Sequence, residues 1–569
     1  MVLAAMPNWR RLLPARSHSV VSAIAVFAVV LSASGAPRAL AGRQAAGPST
    51  TASWEYYGGD PAGTHYSPAS LISTGNVSSL KLAWRFPIPN MNGSRFESSP
   101  IVAGGRLFIT GADDTVYALD LASGRLLWHS TAGLTLSSPT NRGVAYGAGM
   151  VYVATGDARL IALDAANGRT VWMRQIITVP SGSGLGETMA PVFYRGRVIV
   201  GITLGEAAGR GFIASYDART GKQAWRFYTV PAPKEPGGAT WPGGTNFHTA
   251  GGAVWMTPVV DPALDLVYVN VGNPVPDYLG RDRAGLNLYT DSIVALHATS
   301  GTLAWYFQEV HHDLWDYDPA SPSVLLNLRS GGHDVPAIIQ AGKTGWLYVL
   351  DRRTGRPLVP TPEKPVPHGP AWQHAYPTQP EPQNQPFSPQ CPDPGLYLRE
   401  GCIFTPPSET PTLISPGGIG GASWVPVAYS PSTGLAYICA NNRPNLETAV
   451  SSFGNAVATL PTAPIKGQLV GYDVAAGKVT WRKPMAGVCF GGSVATAGDL
   501  VFTGESSGQF SARDARTGRL LWHYTAEGGV DAPPSVYVAG GHEYVAVNVG
   551  GNAIVDQPIG DILEVFTLH

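Results

Sequence analysis

The sequence carries little charge and no excess of either sign. Only 14% of its 569 residues are Asp, Glu, Lys or Arg, and the formal net charge at neutral pH is −1. No run of basic residues occurs, so the electrostatic signature of nucleic-acid binding is missing. Beyond the N-terminal region no apolar run is long enough to cross a bilayer. We therefore expect no nucleic-acid partner and no membrane span in the mature chain.

Cysteine is also scarce, with four residues in the whole chain. No Cys-x-x-Cys-His motif occurs, so no c-type haem is expected to be covalently attached. Cys391 and Cys402 flank a loop rich in Pro and Gly and form a plausible disulfide pair. Cys439 and Cys489 lie in strand-like runs, where we expect buried thiols.

The first 41 residues have the layout of a secretory signal. Arg10, Arg11 and Arg16 precede an apolar stretch at residues 20–31, and a small-x-small site follows at residues 39–41. The apolar stretch is short for a membrane span, although a retained single anchor is the alternative. The pattern predicts a signal peptide over residues 1–41 and an exported protein, in the periplasm or outside the cell.

Glycine, proline and tryptophan are plentiful, with 68, 49 and 15 residues. Such a composition, beside many β-branched residues, is typical of short strands joined by tight turns. One pattern recurs: residues 118–128 end in Asp-x-x-x-Gly-x-x-x-Trp, and residues 162–172 repeat it. The pattern returns at further tryptophans, and the copies that end in tryptophan do so at Trp84, Trp128, Trp172, Trp225, Trp305, Trp481 and Trp522.

The spacing of the copies predicts the fold. Trp84, Trp128 and Trp172 are 44 residues apart, and Trp481 and Trp522 are 41 apart. A period of about 40–45 residues built from short strands indicates the four-stranded blades of a propeller. A further copy at residues 349–355 lacks its tryptophan and brings the number of blades to eight. We expect an all-β, eight-bladed β-propeller over residues 50–569, with tryptophans docked between blades and a blade shared by the two ends. A Pro-rich loop without strand periodicity is expected at about 356–420.

One polar stretch stands out from this background. Residues 311–318 read His-His-Asp-Leu-Trp-Asp-Tyr-Asp, with three acids and two histidines among large aromatics. Carboxylates and imidazoles bind metals and transfer protons. The alternative is a solvated polar loop at the end of a strand.

Several motifs lie in a fixed order along the repeat. They are Trp54-Glu55-Tyr56-Tyr57-Gly58-Gly59-Asp60, Gly63-Thr64-His65-Tyr66-Ser67, Asn141-Arg142-Gly143-Val144-Ala145-Tyr146, Gly272-Asn273-Pro274, the 311–318 stretch and Gly491-Gly492-Ser493-Val494-Ala495-Thr496-Ala497-Gly498. In this order the chain resembles the pyrroloquinoline quinone (PQQ)-dependent dehydrogenases, the eight-bladed quinoprotein alcohol and sugar dehydrogenases. The 311–318 stretch, Lys343-Thr344-Gly345 and residues 360–367 are most similar to the membrane glucose and polyol dehydrogenase branch.

The resemblance implies a site built from loops at one end of the propeller. It implies metal ligands at Glu206, Asn273 and Asp316, with Asp316 also the catalytic base that takes the proton of the alcohol. Asp318 corresponds to an additional ligand in lanthanide-type members, although sugar-oxidising members carry an Asp there with calcium or magnesium. Asp313, His311 and His312 are expected to shape the entrance.

The resemblance also implies a cofactor shell. Trp255 corresponds to the tryptophan on which the quinone stacks, and Arg142 and Lys343 to cations that hold its carboxylates and quinone oxygen. The same shell is expected to include Glu97, Thr188, Trp424, Gly491 and Gly492. Four positions depart from the pattern of family members: Leu136 and Ser137 replace a vicinal cysteine pair, Ser423 an Asn, and Ala253 a Thr.

The expected activity is oxidation of an alcohol, polyol or sugar with PQQ and one metal ion. Calcium is the expected ion, with a lanthanide or magnesium as alternatives. Because the sequence has no haem motif, electrons would pass to a separate acceptor, cytochrome c or ubiquinone. Two other classes remain open. One is a non-catalytic propeller that serves as an envelope scaffold or binding protein, and the other is a carbohydrate-binding lectin, which would lack the axial carboxylates.

Overall fold

The structure is a computed structural model that describes most of the chain after residue 51. The described ranges are 52–89, 95–111, 113–132, 140–178, 186–203, 209–242, 246–330, 333–450, 454–458, 466–551 and 558–568. The expected signal at residues 1–41 lies outside them. Within them, regular structure is almost entirely β, and the helices are four short 3₁₀ turns, Val77–Ser79, Gly238–Thr240, Phe247–Thr249 and Ala371–Gln373. No helix in these ranges is long and apolar enough to span a membrane.

The first half of the chain folds into four successive antiparallel sheets of four strands each, which we number in chain order. Sheet 1 contains Ile101–Ala103, Arg106–Thr110, Val116–Leu119 and Leu126–Ser130. Sheet 2 contains Ala145–Gly147, Met150–Ala154, Arg159–Asp164 and Thr170–Gln175. Sheet 3 contains Val192–Tyr194, Arg197–Gly201, Phe212–Asp217 and Gln223–Tyr228. Sheet 4 contains Val259–Asp261, Leu266–Val271, Ser292–His297 and Leu303–Gln308.

The second half continues the same pattern with two variations. Sheet 5 has three strands, Val324–Ser330, His333–Ala341 and Leu347–Asp351. Sheet 6 contains Ala428–Ser430, Leu435–Asn442, Lys466–Asp473 and Lys478–Pro484. Sheet 7 contains Ser493–Thr496, Leu500–Gly504, Gln509–Asp514 and Leu520–Thr525, and Tyr66–Ser67 adds a parallel edge strand. Sheet 8 contains Ser535–Ala539, His542–Val549, Ile562–Leu568 and the early strand Leu80–Pro87.

Burial shows which edge of each sheet faces inward. The first strand of sheet 1 is fully buried, whereas in the last strand, Leu126–Ser130, only Trp128 is buried. The first strands of neighbouring sheets also contact one another between sheets 1 and 2, 2 and 3, 4 and 5, 6 and 7, and 7 and 8. The first strands therefore lie on the inner side of the sheets, and the last strands lie outside.

The repeated tryptophans join each sheet to the next, as predicted. Trp225 Nε1 donates a 3.0 Å hydrogen bond to the carbonyl oxygen of Ala298 in the turn of sheet 4. In the same turn Gly301 has φ 72°, and a Cβ there would lie 2.5 Å from the Trp225 ring. Only glycine combines that backbone conformation with so close an approach. Trp128 makes the equivalent contacts with Ala165 and Gly168 in sheet 2. In both sheets the turn that contains this glycine is the receptor for the tryptophan of the preceding sheet.

The repeat without a tryptophan belongs to sheet 5, which also lacks a fourth strand. The glycine that would receive the missing tryptophan is Gly477, in the turn of sheet 6, and Asn384 covers it instead. Asn384 belongs to the Pro-rich insertion, which is not without strands. Glu363–Pro365 pairs with Thr378–Pro380, and Glu400–Gly401 and Thr412–Ile414 join Asn445–Val450 and Gly454–Ala458. The sequence showed no strand periodicity in this insertion, because these strands are too short to produce one.

The two ends of the described chain meet in sheet 8. The strand Leu80–Pro87 pairs in antiparallel register with Ile562–Leu568, from Leu80 opposite Leu568 to Pro87 opposite Ile562. This confirms the expectation that the start and end of the repeat share one sheet.

Both cysteine pairs are disulfides. Cys391 and Cys402 are bonded, as expected. Cys439 and Cys489 are bonded as well, so the expectation of buried free thiols is wrong. Cys439 lies on the second strand of sheet 6 and Cys489 just before sheet 7, and adjacent sheets bring their Cα atoms to 5.3 Å. Disulfide connectivity of this kind depends on how the sheets pack, and it cannot be inferred from the spacing of the cysteines in the sequence.

Candidate active site

The residues expected to form the site share positions at one end of the sheets. In antiparallel strands, the segment before the first strand and the segment after the second strand lie at the same end. Four expected cofactor residues precede the first strand of their sheet by four residues: Glu97, Thr188, Trp255 and Trp424. Asn273 and Lys343 each follow a second strand by two residues. The regular repeat thus brings residues that are distant in sequence to one region.

Lys343 lies between the two carboxylates of the polar stretch. Its Nζ is 2.6 Å from Asp316 Oδ1 and 3.2 Å from Asp318 Oδ2. The Lys343 and Asp318 side chains are only 7% and 5% exposed, whereas Asp316 retains 16%. Charges removed from water in this way need a partner of opposite sign. Asp316 also has φ 61°, a conformation that non-glycine residues seldom adopt and that is enriched at functional sites.

Asn273 and Trp255 reach the same carboxylate cluster. The backbone N–H of Asn273 donates to Asp318 Oδ1 at 2.6 Å. Its side-chain amide donates to Asp277 Oδ1 at 2.8 Å, which directs the NH₂ group to that acid. A Cβ on Gly272 would lie 3.1 Å from Trp255 Nε1 and 3.2 Å from Asp318 Oδ1. Glycine at position 272 therefore lets the indole and the carboxylate approach each other.

Arg142 organises the other side of Trp255. Its guanidinium forms an ion pair with Glu97 at 2.8 Å and donates to Thr188 Oγ1 at 2.8 Å. The carbon of the same guanidinium lies 5.2 Å from the centre of the Trp255 ring, within cation–π range. Thr188 in turn shares a 2.9 Å hydrogen bond with Thr203. Glu97, Arg142, Thr188 and Trp255 thus form one connected group.

Trp424 lies in an apolar cluster on which Trp255 also packs. Its ring centre is 3.9 Å from that of Phe490, and its Nε1 is buried with no hydrogen-bond partner in the described part of the chain. The next residues after Phe490 are Gly491 and Gly492. A Cβ on Gly491 would lie 2.4 Å from a backbone oxygen, and Gly492 has φ 61°, so a side chain would clash at residue 491 and be strained at residue 492.

The rest of the polar stretch builds the loop and does not line an entrance. Asp313 is fully buried and accepts hydrogen bonds from the backbone N–H groups of Trp315 and Tyr317. Burial raises the pKa of Asp313 to about 6. His312 is also buried, between the carbonyl oxygens of Gly285 and Gln373, and burial lowers its pKa to about 3. The expectation that His312 and Asp313 shape the entrance is wrong, because the loop folds inward and encloses them. His311 is partly exposed and contacts Glu363 at 3.1 Å.

Several expected features lie outside the described residues. Glu206, the third expected oxygen ligand, is one of them, and so are Leu136 and Ser137. Across the described ranges, no group of three or more His, Cys, Asp and Glu side chains converges on a point. Asn273 itself contacts two carboxylates, Asp318 through its backbone N–H and Asp277 through its side-chain amide.

One residue of the site region was not anticipated. Asp531 precedes the first strand of sheet 8 by four residues, the position that Glu97 and Trp255 hold in their own sheets. Its carboxylate is buried and, among the described residues, neither oxygen has a hydrogen-bond partner. Burial, followed by the nearby negative charge of Glu97, raises the pKa of Asp531 well above its ordinary value. The equal spacing to the first strand would have identified this residue.

Comparison with known proteins agrees with this arrangement. The family model described as glucose/ethanol/alcohol dehydrogenase, β-propeller domain, matches residues 54–459. A second model, outer membrane protein assembly factor BamB, matches residues 465–562. The chain is 34% identical to the dehydrogenase subunit of a quinone-type alcohol dehydrogenase from Gluconacetobacter polyoxogenes, over 90% of this chain and 73% of that protein. It is 32% identical to the quinohemoprotein alcohol dehydrogenase of Comamonas testosteroni, over 89% and 73%.

Solved structures show the same relationship. The crystal structure of the Comamonas testosteroni quinohemoprotein alcohol dehydrogenase superposes with a TM-score of 0.80 at 29% identity, covering 92% of this chain and 81% of that one. A europium-containing methanol dehydrogenase superposes with a TM-score of 0.76 at 27% identity, covering 91% and 98%. An all-β propeller fold with acids, cations and aromatic rings at one end of its sheets is the architecture of a quinoprotein. The chain belongs to the PQQ-dependent alcohol dehydrogenase family, whose members are oxidoreductases that act on CH–OH groups.

Proposed function

We propose that this protein oxidises an alcohol with PQQ and one metal ion bound at the end of the sheets where Asp316 lies. The observation that carries the proposal is the position of Lys343, whose ammonium bridges Asp316 and Asp318. The Asn273 backbone N–H donates to Asp318, and the Trp255 indole lies near the same carboxylate. A cation, an anion pair and a flat aromatic ring in one region are the groups that a carboxylated quinone and a metal ion require.

The residues present fit the cofactor. PQQ is flat and carries three carboxylates, so it needs aromatic faces and cationic donors. Trp255 is half-buried beside the Arg142 guanidinium, and Trp424 offers a buried indole N–H that no described residue accepts. Such a donor is costly to bury without a partner, and a ligand oxygen would remove that cost. Arg142 and Lys343 would hold the negative groups of the cofactor, and Gly491 and Gly492 would let it approach the backbone.

The metal ion would be held by oxygen atoms of Asn273, Asp316 and Asp318, with Glu206 as the further expected ligand. Carboxylate and amide oxygens suit hard cations. The Lys343 ammonium already lies between the two carboxylates. Their combined negative charge supports the binding of a positive ion at this point. Calcium is the proposed ion, and the second carboxylate, Asp318, keeps a lanthanide as the alternative, with magnesium a further one.

When bound, PQQ would supply the electron sink that accepts the hydride of the alcohol. The chain would supply the base and its orientation. Asp316 would take the hydroxyl proton on a carboxylate oxygen, while the ammonium of Lys343 holds Oδ1 in place. A Cβ on Gly418 would lie 2.8 Å from Asp316 Oδ2, so the carboxylate can hold its position only with glycine at residue 418.

Further parts of the proposal concern the assembly around this site. The eight sheets would be the blades of one ring, closed where Leu80–Pro87 pairs with Ile562–Leu568. The protein would be exported with cleavage of residues 1–41, and electrons would pass to cytochrome c or ubiquinone. Polyols and sugars remain candidate substrates beside simple alcohols.

A non-catalytic scaffold or binding propeller is the second candidate. The match of residues 465–562 to the BamB assembly factor favours it. That match covers the last repeats, whereas the ion pairs join Lys343 to Asp316 and Asp318, which lie outside the matched residues. A scaffold gains nothing from burying Asp318 and Lys343 at one end of its sheets, since buried ion pairs contribute little stability.

Reconstitution tests the proposal directly. The purified protein is incubated with PQQ and calcium, magnesium or a lanthanide, and dye reduction is measured over a panel of alcohols, polyols and sugars. We expect tight PQQ binding that depends on the metal, and reduction of the dye with at least one alcohol. Absence of bound PQQ with every metal would contradict the proposal and favour the scaffold.

A further inference from the structure

The Cys439–Cys489 disulfide lies at the site end of two neighbouring sheets. Cys439 is on the second strand of sheet 6, Leu435–Asn442, and Cys489 precedes the first strand of sheet 7 by four residues. Four residues before the first strand is the position that Trp255 and Trp424 hold in their own sheets. Both cysteines are almost completely buried, 1% and 0% exposed. The bond therefore joins two sheets next to the proposed cofactor position.

Asn441 reinforces the same junction. The backbone N–H of Cys489 donates to Asn441 Oδ1 at 2.8 Å, and Asn441 Nδ2 donates to the Cys489 carbonyl oxygen at 3.2 Å. Residue 489 is thus held by one covalent bond and by hydrogen bonds on both sides of its backbone. Asn441 is itself fully buried, so water does not compete for these bonds.

The residues that follow Cys489 are those expected to contact the cofactor. Phe490 packs against Trp424 with ring centres 3.9 Å apart, and both belong to one apolar cluster with the disulfide. Trp255 packs against that cluster. Gly491 and Gly492 come next and precede the first strand of sheet 7 directly. A segment rich in glycine has much conformational freedom to lose when a ligand binds it.

We propose that the Cys439–Cys489 disulfide is a positioning element that fixes Phe490, Gly491 and Gly492 for binding of the quinone cofactor. The inference rests on the proposed function. Restricting the segment before binding lowers the entropy that binding must overcome, so the bond strengthens cofactor affinity without touching the reacting atoms. Its loss is expected to weaken PQQ binding while the rate with saturating PQQ stays the same.

The test compares the two disulfides of the chain. One variant carries Cys439→Ala and Cys489→Ala, and the matched control carries Cys391→Ala and Cys402→Ala in the exposed insertion loop. Apo-protein of each is titrated with PQQ in the presence of calcium, and quenching of tryptophan fluorescence gives the Kd. Thermal unfolding of the apo-proteins is measured alongside.

Both variants are expected to melt at lower temperature than the native protein, because each loses a cross-link. Only the Cys439/Cys489 variant is expected to bind PQQ at least about tenfold more weakly, a difference of about 1.4 kcal/mol. Its kcat at saturating PQQ is expected to stay within about twofold of the native value, since Asp316 and Lys343 are unchanged.

An unchanged Kd in a folded Cys439/Cys489 variant would overturn the inference, as would equal weakening in the control. If the variant does not fold, Asn441→Leu with the disulfide intact decides, since it removes both hydrogen bonds to residue 489. An unchanged Kd in that variant overturns the inference, and a weaker one supports it. Failure of the native protein to bind PQQ with any metal would instead contradict the proposed function.

Discussion

Lys343 Nζ lies 2.6 Å from Asp316 Oδ1, and both side chains are largely buried. The second oxygen, Oδ2, lies close to Gly418, where an added Cβ would be only 2.8 Å away. One oxygen of the carboxylate is thus held by a charge-assisted hydrogen bond, and close packing against Gly418 limits the position of the other. These two contacts orient the Asp316 carboxylate, as a base that accepts a proton in a fixed direction requires.

Substitution of Asp316 by Asn is expected to abolish turnover and leave PQQ bound. The amide is similar in shape but cannot accept the proton, so kcat should fall about 10²–10⁴-fold. Dye reduction measures the rate, and the absorbance of bound PQQ measures occupancy. Asp499→Asn, at a side chain that is 40% exposed and pairs with Arg516, is the control and should change neither. Full activity in Asp316→Asn would show that another group is the base.

Replacing Lys343 by Met is expected to destabilise the apo-protein. Asp316 and Asp318 would lose their shared cation, and breaking a buried pair costs roughly 3–5 kcal/mol. Calcium should then raise the Tm of the variant more than that of the native protein, because a bound cation replaces the lost charge. Lys343→Arg keeps the charge and should retain most of the stability. Equal stability of Lys343→Met and native apo-protein would contradict the importance of the ion pair.

Removal of the Asp318 carboxylate is expected to affect lanthanide-dependent activity and calcium-dependent activity differently. A trivalent ion benefits more than a divalent one from an additional negative ligand, so Asp318→Ala should lose lanthanide-dependent activity and keep calcium-dependent activity. The measurement is dye reduction against metal concentration for each ion. Equal loss with both ions would assign Asp318 to the general structure of the site, through its bond to the Asn273 N–H.

The sequence was most informative where structure is local and repeated. Within a repeat the turn glycine precedes the tryptophan by four residues, as Gly221 precedes Trp225 and Gly301 precedes Trp305, so the sheets and their docking could be predicted without knowledge of the whole fold. The Cys439–Cys489 bond could not be predicted, because it depends on the distance between separate sheets. The burial of His312 and Asp313 was also missed, because a polar stretch does not reveal whether its loop folds inward. Residue types indicated the candidate site, and packing decided which residues of the polar stretch are enclosed by the loop.

Gly301→Ala is expected to destabilise the protein more than Gly434→Ala. Both glycines have φ 72°, and placing alanine in that region costs about 1–2 kcal/mol. At Gly301 the new Cβ would also lie 2.5 Å from the Trp225 ring, whereas at Gly434 no atom lies within 4 Å. Overpacking against the ring adds about 1–3 kcal/mol. Urea unfolding of the apo-proteins measures the difference, and equal losses would show that the tryptophan contact is not tight.

Asp114 is expected to make the stability of the protein depend on pH, and the substitution Asp114→Asn should remove that contribution. Burial raises the pKa of Asp114 to about 7 from 3.8, against the opposing effect of hydrogen bonds from the Gly156 N–H and the Asn141 amide. The folded protein therefore binds this proton more tightly than the unfolded chain does. By linkage, the contribution to stability is complete below pH 3.8 and is lost as the pH rises to about 7.

Asp114→Asn mimics the protonated acid, so the variant should match the native protein at acidic pH and exceed it at alkaline pH. The free energy of unfolding in urea at about pH 5 and about pH 8 measures this difference for both proteins. Glu543, whose pKa burial also raises to about 7, is present in both and cancels in the comparison. A native protein that gained stability relative to the variant between these pH values would require a lowered pKa at Asp114. The sign of the change therefore decides whether burial or the two hydrogen bonds dominate at this carboxylate.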